Sequence, residues 1–248
     1  MKKNMRTVLV TAFEPFGRDT ENAAALVCAG LPDQGRFPKR PAAKGNRADE
    51  ETGSREGEYR VVKRVLPVEF RAAVEELFSA MDEIAPELVL CLGQAGGRRQ
   101  VTPERVAVNL MDAPIPDNGG FQPVEEPVSA AGPTAYFTNV PVKAVTEAAK
   151  TAGYPAELSH TAGTYVCNCV FYMLLNRIAF TPANEATKPL WGDFIHVPYV
   201  QEQKNVPQDK PSLPLGQVVD TVRFLMEETL GRMEETMWEE KEYEDFGM

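Results

Sequence analysis

Glu87-Leu88-Val89-Leu90-Cys91-Leu92, followed at once by Gly93-Gln94-Ala95-Gly96-Gly97-Arg98-Arg99, decides how the rest of this 248-residue chain is arranged. An apolar run without alternation predicts a strand buried on both faces, as in the middle of a parallel sheet. The glycine-rich turn puts loops at its carboxyl end, where open α/β sheets gather their ligands. That turn lacks the Gly-Lys-Ser/Thr ending of a phosphate loop and the full dinucleotide fingerprint, but it supplies two arginines at the sheet edge.

Upstream, Thr7 to Ala12 predicts a first buried strand, then the loop Phe13-Glu14-Pro15-Phe16-Gly17 and a helix from about Asn22 to Gly30. The two phenylalanines suit either core plugs or the walls of a flat apolar pocket, and their place after a strand favours the pocket. Residues 32–58 carry prolines, glycines and charges with almost no large apolar side chain, which predicts a disordered surface insertion. Tyr59 to Leu66 is a second strand. Phe70, Val74, Leu77, Met81 and Ile84 then recur at helical spacing over 69–85.

Downstream, Glu104 opens a strand from Arg105 to Leu110, and an acid there ordinarily faces solvent. The Pro- and Gly-rich stretch Asp112 to Gly132 is long enough to be a lid or a subunit contact. A helix from Pro141 to Ala152 leads to a short strand closing at Ala156 to Ser159. The next helix is capped by Thr164 and stops before Thr181-Pro182. Phe194 to Tyr199 forms the last strand, and a helix from Gln217 to Leu230 ends the pattern. This alternation predicts a single three-layer α/β/α domain with a twisted, largely parallel (mixed) central sheet, spanning residues 1–248.

The formal net charge is -10, and the segment 232–248 reads as an acidic tail: seven acids between Glu234 and Asp245 face only Lys241. Such a surface argues against nucleic acid. The apolar run Val8 to Phe13 is too short for a secretory leader, and nothing approaches the ~20 apolar residues of a membrane span. Four cysteines without a leader fit a reducing cytoplasm better than a disulfide framework.

Cys167 carries the chemistry. In Ala162-Gly163-Thr164-Tyr165-Val166-Cys167 a glycine turn leads into a helix whose first turn holds the cysteine, where free N–H groups and the helix dipole would favour thiolate. A cysteine in an apolar run can also be mere core. A nucleophile needs a base, and the chain has only two histidines, His160 and His196. His196, at the end of the last strand, is better placed than His160, seven residues before the cysteine. Glu104 would orient the imidazole, and Arg98 or the helix-head N–H groups would hold an oxyanion. Zinc is disfavoured because Cys167 and Cys169 are one residue apart with no second ligand pair; no metal or cofactor is expected.

Thr11 to Gly17, Leu66-Pro67-Val68-Glu69-Phe70, Gly93-Gln94-Ala95 through Arg98 to Glu104-Arg105-Val106-Ala107-Val108-Asn109, Ile115-Pro116-Asp117-Asn118, Pro133 to Phe137, Ala162 to Asn168 and Phe194 to Tyr199 together closely resemble the pyroglutamyl-peptidase I, or pyrrolidone-carboxylate peptidase, family. The likeness runs in order over about residues 7 to 205. It implies a cytosolic cysteine peptidase that removes N-terminal pyroglutamate from peptides without metal or cofactor. It places Cys167, His196 and Glu104 in the triad, Arg98 at the oxyanion, and Phe13, Phe16, Asn22, Gln94, Tyr165 and Val166 in the substrate pocket. Similar enzymes are often homotetramers in prokaryotes and monomers in animals. The chain departs from the family pattern at Ala12, Pro103, His160 and Gln201.

A flat neutral lactam suits a slot between two phenyl faces, whereas an ordinary N-terminal ammonium would be stranded there without a partner. Two other readings remain for the sequence: a noncatalytic binder of small cyclic amides, and a phosphorylase-like enzyme using Arg98 and the glycine turn for phosphate.

Overall fold

The computed structural model describes residues 5–17, 19–38, 56–181 and 189–233. In chain order the elements are β1 (Arg6–Phe13), α1 (Ala23–Gly30), β2 (Gln34–Pro38), β3 (Glu56–Leu66), α2 (Phe70–Ile84), β4 (Leu88–Gln94), β5 (Thr102–Pro103), β6 (Val106–Val108), β7 (Ala135–Phe137), α3 (Val142–Thr151), α4 (Val166–Phe180), β8 (Trp191–Val197), β9 (Tyr199–Val200), β10 (Ser212–Leu213) and α5 (Leu215–Arg232). The main sheet has the order β2-β3-β1-β4-β8-β5. Its four middle strands are mutually parallel, and the two short outer strands, β2 and β5, run antiparallel to their neighbours.

Side-chain alternation along the parallel strands produces two cores. Val8, Val10, Leu88, Leu90, Ile195 and Val197 face a layer that includes α1, α3 and α5. Leu9, Phe13, Val89, Cys91 and Phe194 face α2 and α4. Every residue of β4 and β8 is buried, as strands covered by helices on both faces must be. Each buried leucine or valine contributes roughly 1.5–3 kcal/mol, so these strands fix the middle of the sheet.

Several expectations need correction. The stretch 32–58 is not wholly an insertion: Gln34–Pro38 and Glu56 onward pair as antiparallel strands, with Phe37 buried under the sheet edge. Residues 39–55 lie outside the described residues. So does 234–248, the bulk of the acidic tail, whereas Arg232 ends α5 and Met233 is buried in the core. The strand expected over Arg105 to Leu110 is divided: β5 precedes Glu104 and joins the main sheet, while β6 pairs with β7 in a separate ribbon. Ala156 to Ser159 makes only isolated bridges, to Val101 and Glu104.

The loop 112–132 is pinned by Asp117. Its Oδ2 accepts the N–H of Phe70 (3.0 Å), and its Oδ1 accepts those of Gly119 and Phe121. The first of these caps α2, whose own N-cap residue, Glu69, makes no side-chain cap. No helix of the described residues is long and apolar enough to cross a membrane.

Candidate active site

His196 is the sixth residue of β8, and the strand ladder fixes what surrounds it. In the parallel pair with β4 it registers against Gly93. In the antiparallel pair with β5 it registers against Thr102, whose hydroxyl donates to the His196 carbonyl at 3.2 Å. Two residues further on, the Glu104 N–H donates to the Phe194 carbonyl at 2.8 Å. The period of two returns the Glu104 side chain to the face of Thr102, and so to the face of His196. The outcome is Glu104 Oε1 at 2.7 Å from His196 Nδ1, with the carboxyl fully buried. Of the two readings of Glu104, this geometry fits the partner that orients the imidazole and not the solvated acid. Arg98 makes its burial tolerable, with Nη1 2.7 Å from the same Oε1.

Cys167 reaches that face from the other side. Gly163 adopts φ +78°, a left-handed turn that suits glycine, and α4 begins three residues later. Thr164 does not cap the helix; its hydroxyl donates to the Asp112 carbonyl at 2.7 Å. Tyr165 is the N-cap residue and makes no side-chain capping bond, its hydroxyl donating instead to the Pro116 carbonyl at 3.1 Å, so Cys167 is the second helical residue in a turn whose N-cap side chain leaves the N–H groups uncapped. Asn168 anchors the turn to β6: it accepts from the Val108 N–H and donates to the Val108 and Leu110 carbonyls. The Cys167 sulfur then overlies the sheet, where a Cβ built on Gly93 would lie 3.0 Å from Sγ.

Sulfur and imidazole open into one cavity of about 140 Å³, lined by Phe13, Phe16, Asn22, Val68, Gln94, Ala162, Tyr165, Val166, Cys167 and His196. All six residues expected in the pocket line it. Val68 and Ala162 were not singled out, although both stand in the quoted motifs; Val68 is the second residue after the end of β3. Phe13 packs on Phe194 at 6.3 Å between ring centroids, and Phe16 packs at 6.4 Å on Tyr165, itself part of the lining, so each ring is held by an aromatic neighbour. No carboxylate lines the cavity. His160 is exposed and not part of it.

Arg98 also lies away from the cavity wall. Besides Glu104, its guanidinium donates to the Thr102 hydroxyl and the Thr161 carbonyl, which ties it to the carboxylate side of the imidazole.

The electrostatics overturn one expectation. The Cys167 thiol is not an acidified helix-head thiol: burial pushes it up to about 12, with Cys91 and Glu104 adding, while Arg98 and the helix-head N–H pull weakly the other way. Burial also holds His196 below its ordinary value, against the opposing pull of Glu104. Both shifts favour the uncharged forms, a thiol and a neutral imidazole. Its Nδ1–H donates to Glu104, leaving Nε2 free. Among the described residues, no group of three or more His, Cys, Asp or Glu side chains is placed to hold a metal ion.

The pyroglutamyl peptidase family model matches residues 37–231. Pyrrolidone-carboxylate peptidase of Bacillus subtilis (strain 168) is 40% identical over 219 residues, covering 88% of this chain and 90% of that relative. That of Yersinia pestis (strain Pestoides F) is 43% identical over 210 residues, 85% of each chain. The crystal structure of pyroglutamyl peptidase I from Bacillus amyloliquefaciens superposes with a TM-score of 0.75 at 36% identity, covering 93% of this chain and 98% of that one. Pyrrolidone carboxyl peptidase from Thermococcus litoralis gives 0.75 at 34% identity, covering 93% and 96%. With this extent of agreement in sequence and in fold, the chain belongs to the pyroglutamyl peptidase family.

Proposed function

We propose that this protein is a cysteine peptidase that hydrolyses the amide bond after an N-terminal pyroglutamyl residue, with Cys167 as nucleophile, His196 as base and then acid, and Glu104 as the group that orients the imidazole. The observation that carries this reading is the single small cavity onto which both Cys167 and His196 open, with Glu104 on the far nitrogen of the ring. At about 140 Å³ it is far below the ~300–1,000 Å³ of a drug-sized site and suits one five-membered ring.

As Sγ attacks the substrate carbonyl carbon, its proton passes to His196 Nε2, and the oxyanion forms beside the N–H groups at the head of α4. Collapse breaks the C–N bond, and His196 delivers its proton to the departing amine. Water then attacks the thioester while His196 takes its proton. Free pyroglutamate leaves, and the proton returns to sulfur. Arg98 acts through Glu104, holding the carboxylate that stabilises the imidazolium. Specificity against ordinary peptides follows from the cavity lining, which offers an ammonium no carboxylate.

The test is turnover of a fluorogenic pyroglutamyl amide against the matching prolyl and glutamyl amides, with and without chelator. Selective, chelator-insensitive turnover of the first supports the reading; equal rates on all three refute it. The phosphorylase-like alternative is opposed by the engagement of Arg98 with Glu104.

A cytoplasmic setting is supported by four free cysteines, Cys28, Cys91, Cys167 and Cys169, together with a mechanism that requires a reduced thiol. Self-association, which light scattering would measure, is supported by the exposed apolar ring of Phe137 on β7, beside an open groove of about 620 Å³ that includes Val140, Pro141 and Val142.

A further inference from the structure

The cavity contains two side-chain amides, and their hydrogen-bonding capacity can be counted. Asn22 caps α1 by accepting the Ala24 N–H at 2.9 Å and donates to the Glu14 carbonyl at 2.9 Å. Gln94 Oε1 accepts twice, from the Ala23 N–H at 2.7 Å and from Gln203 Nε2 at 2.9 Å, while its Nε2 donates to Asp19 Oδ2 at 2.7 Å. An amide oxygen takes two hydrogen bonds and an amide nitrogen gives two, so Gln94 has a filled oxygen and one N–H left over.

Gln203 lies in the turn after β9, outside the cavity lining, and is 5% exposed. Its Nε2 also donates to the Glu21 carbonyl at 3.0 Å. A backbone acceptor, Glu21, thus fixes which end of the Gln203 amide points inward, and a backbone donor, Ala23, fixes Gln94. The orientation leaves Gln203 Oε1 buried without a partner among the described residues, which is the cost of keeping both N–H groups pointed at Glu21 and Gln94. Reversing either amide would set two carbonyl oxygens, or two N–H groups, against each other.

We infer that Gln203 is a specificity-determining positioning residue: by filling the last lone pair of Gln94 Oε1 it makes Gln94 a pure donor toward the cavity, and that donor recognises the lactam carbonyl of the substrate ring. The inference rests on the function proposed above. A prolyl ring carries no acceptor at that carbon, so the pair selects an oxidised ring over a reduced one. Without Gln203, the Gln94 oxygen regains a free lone pair, and the amide no longer presents the N–H alone.

The experiment compares Gln203→Met with the wild-type chain, in the native background and in Gln94→Met. It measures kcat and KM for a fluorogenic pyroglutamyl amide, the inhibition constant of 2-pyrrolidone, and the rate of iodoacetamide alkylation of Cys167. Gln203→Met is expected to raise KM and the 2-pyrrolidone constant about tenfold, the share of one hydrogen bond, with kcat and alkylation nearly unchanged. In the Gln94→Met background it adds nothing, because its effect runs through Gln94. An unchanged 2-pyrrolidone constant, or equal losses in both backgrounds, overturns the inference. Should Gln203→Met not fold, Gln203→Glu keeps the size and lacks the donor, with the same expectations. If the wild-type chain turns over no pyroglutamyl amide, the reading of the site fails and takes this inference with it; if it does, an indifferent variant refutes the role of Gln203 alone.

Discussion

The sulfur of Cys167 lies directly over Gly93, close enough that a Cβ on that glycine would stand 3.0 Å from Sγ, and Gly93 is the ladder partner of His196. A helix and two strands therefore meet at one point through the absence of a side chain. Gly93→Ala must push the sulfur or the Phe194 ring, 2.8 Å from the same Cβ, out of place. Because small misplacements of reacting groups can cost about 10²-fold, kcat/KM should fall by roughly that factor while the circular dichroism spectrum is retained.

Cys167→Ser should abolish turnover, by roughly 10⁴-fold or more, in a protein that still melts cooperatively near the wild-type temperature. Stopped assays on the fluorogenic amide would measure this, and a serine variant within tenfold of wild type would remove Cys167 from the mechanism.

Glu104→Gln frees the imidazole to adopt the wrong tautomer. A loss of roughly 10²–10⁴-fold in kcat is expected, by analogy with the carboxylate of other nucleophile–histidine sites. The same change leaves Arg98 facing a neutral amide, so the melting temperature should also fall; Arg98→Met combined with Glu104→Gln should recover part of that stability without recovering activity.

Two pH profiles test the neutral resting pair. His196 is held below its usual 6.5, so kcat/KM should be flat above that value and decline only as pH falls below it. The associated stability has the same sign: it is complete above 6.5 and is lost as pH drops through the lowered value. Because the thiol is pushed up to about 12, iodoacetamide inactivation of the free protein should be slow at neutral pH and climb about tenfold per pH unit across the neutral range. A plateau from pH 6 upward would show a standing thiolate instead.

Asp193 sits on β8 facing the opposite core from His196, fully buried, with Oδ1 unpartnered among the described residues and burial raising its carboxyl well above the ordinary range. A raised acid stabilises the fold below about pH 3.8 and loses that contribution as pH rises. Asp193→Asn should therefore melt higher than wild type at neutral pH, by a few degrees per kcal/mol, and the gap should shrink in acid. Differential scanning calorimetry at pH 4 and pH 7.5 would show it.

What could be read from the sequence divides along physical lines. β1, β4 and β8 were legible because strands covered on both faces must be continuously apolar, and the cysteine, histidine and glutamate stand at or beside their carboxyl ends. β2 was not, since Phe37 is its only large apolar residue and its place depends on the partner strand β3. β5, β6 and β7, of two or three residues each, are shorter than any periodicity can register. The burial of Glu104 and the raised Cys167 thiol were missed for a shared reason: both depend on what the tertiary fold packs around a charge, and spacing along the chain carries no measure of that. Gln203 carries no signal in the sequence, because its role lies in which way an amide faces.

The β2–β3 hairpin also bears on how freely this protein can be altered. It occupies the sheet margin remote from β8 and β5, and the connection between Pro38 and Glu56 departs at the amino end of β3, whereas the reacting groups gather at the carboxyl ends of β1, β4 and β8. The described ends of that connection, Pro38 and Glu56, are thus set apart from the reacting groups by both breadth and height of the sheet, making this joint the natural graft point for an affinity tag or a tethering domain in an otherwise unmodified enzyme.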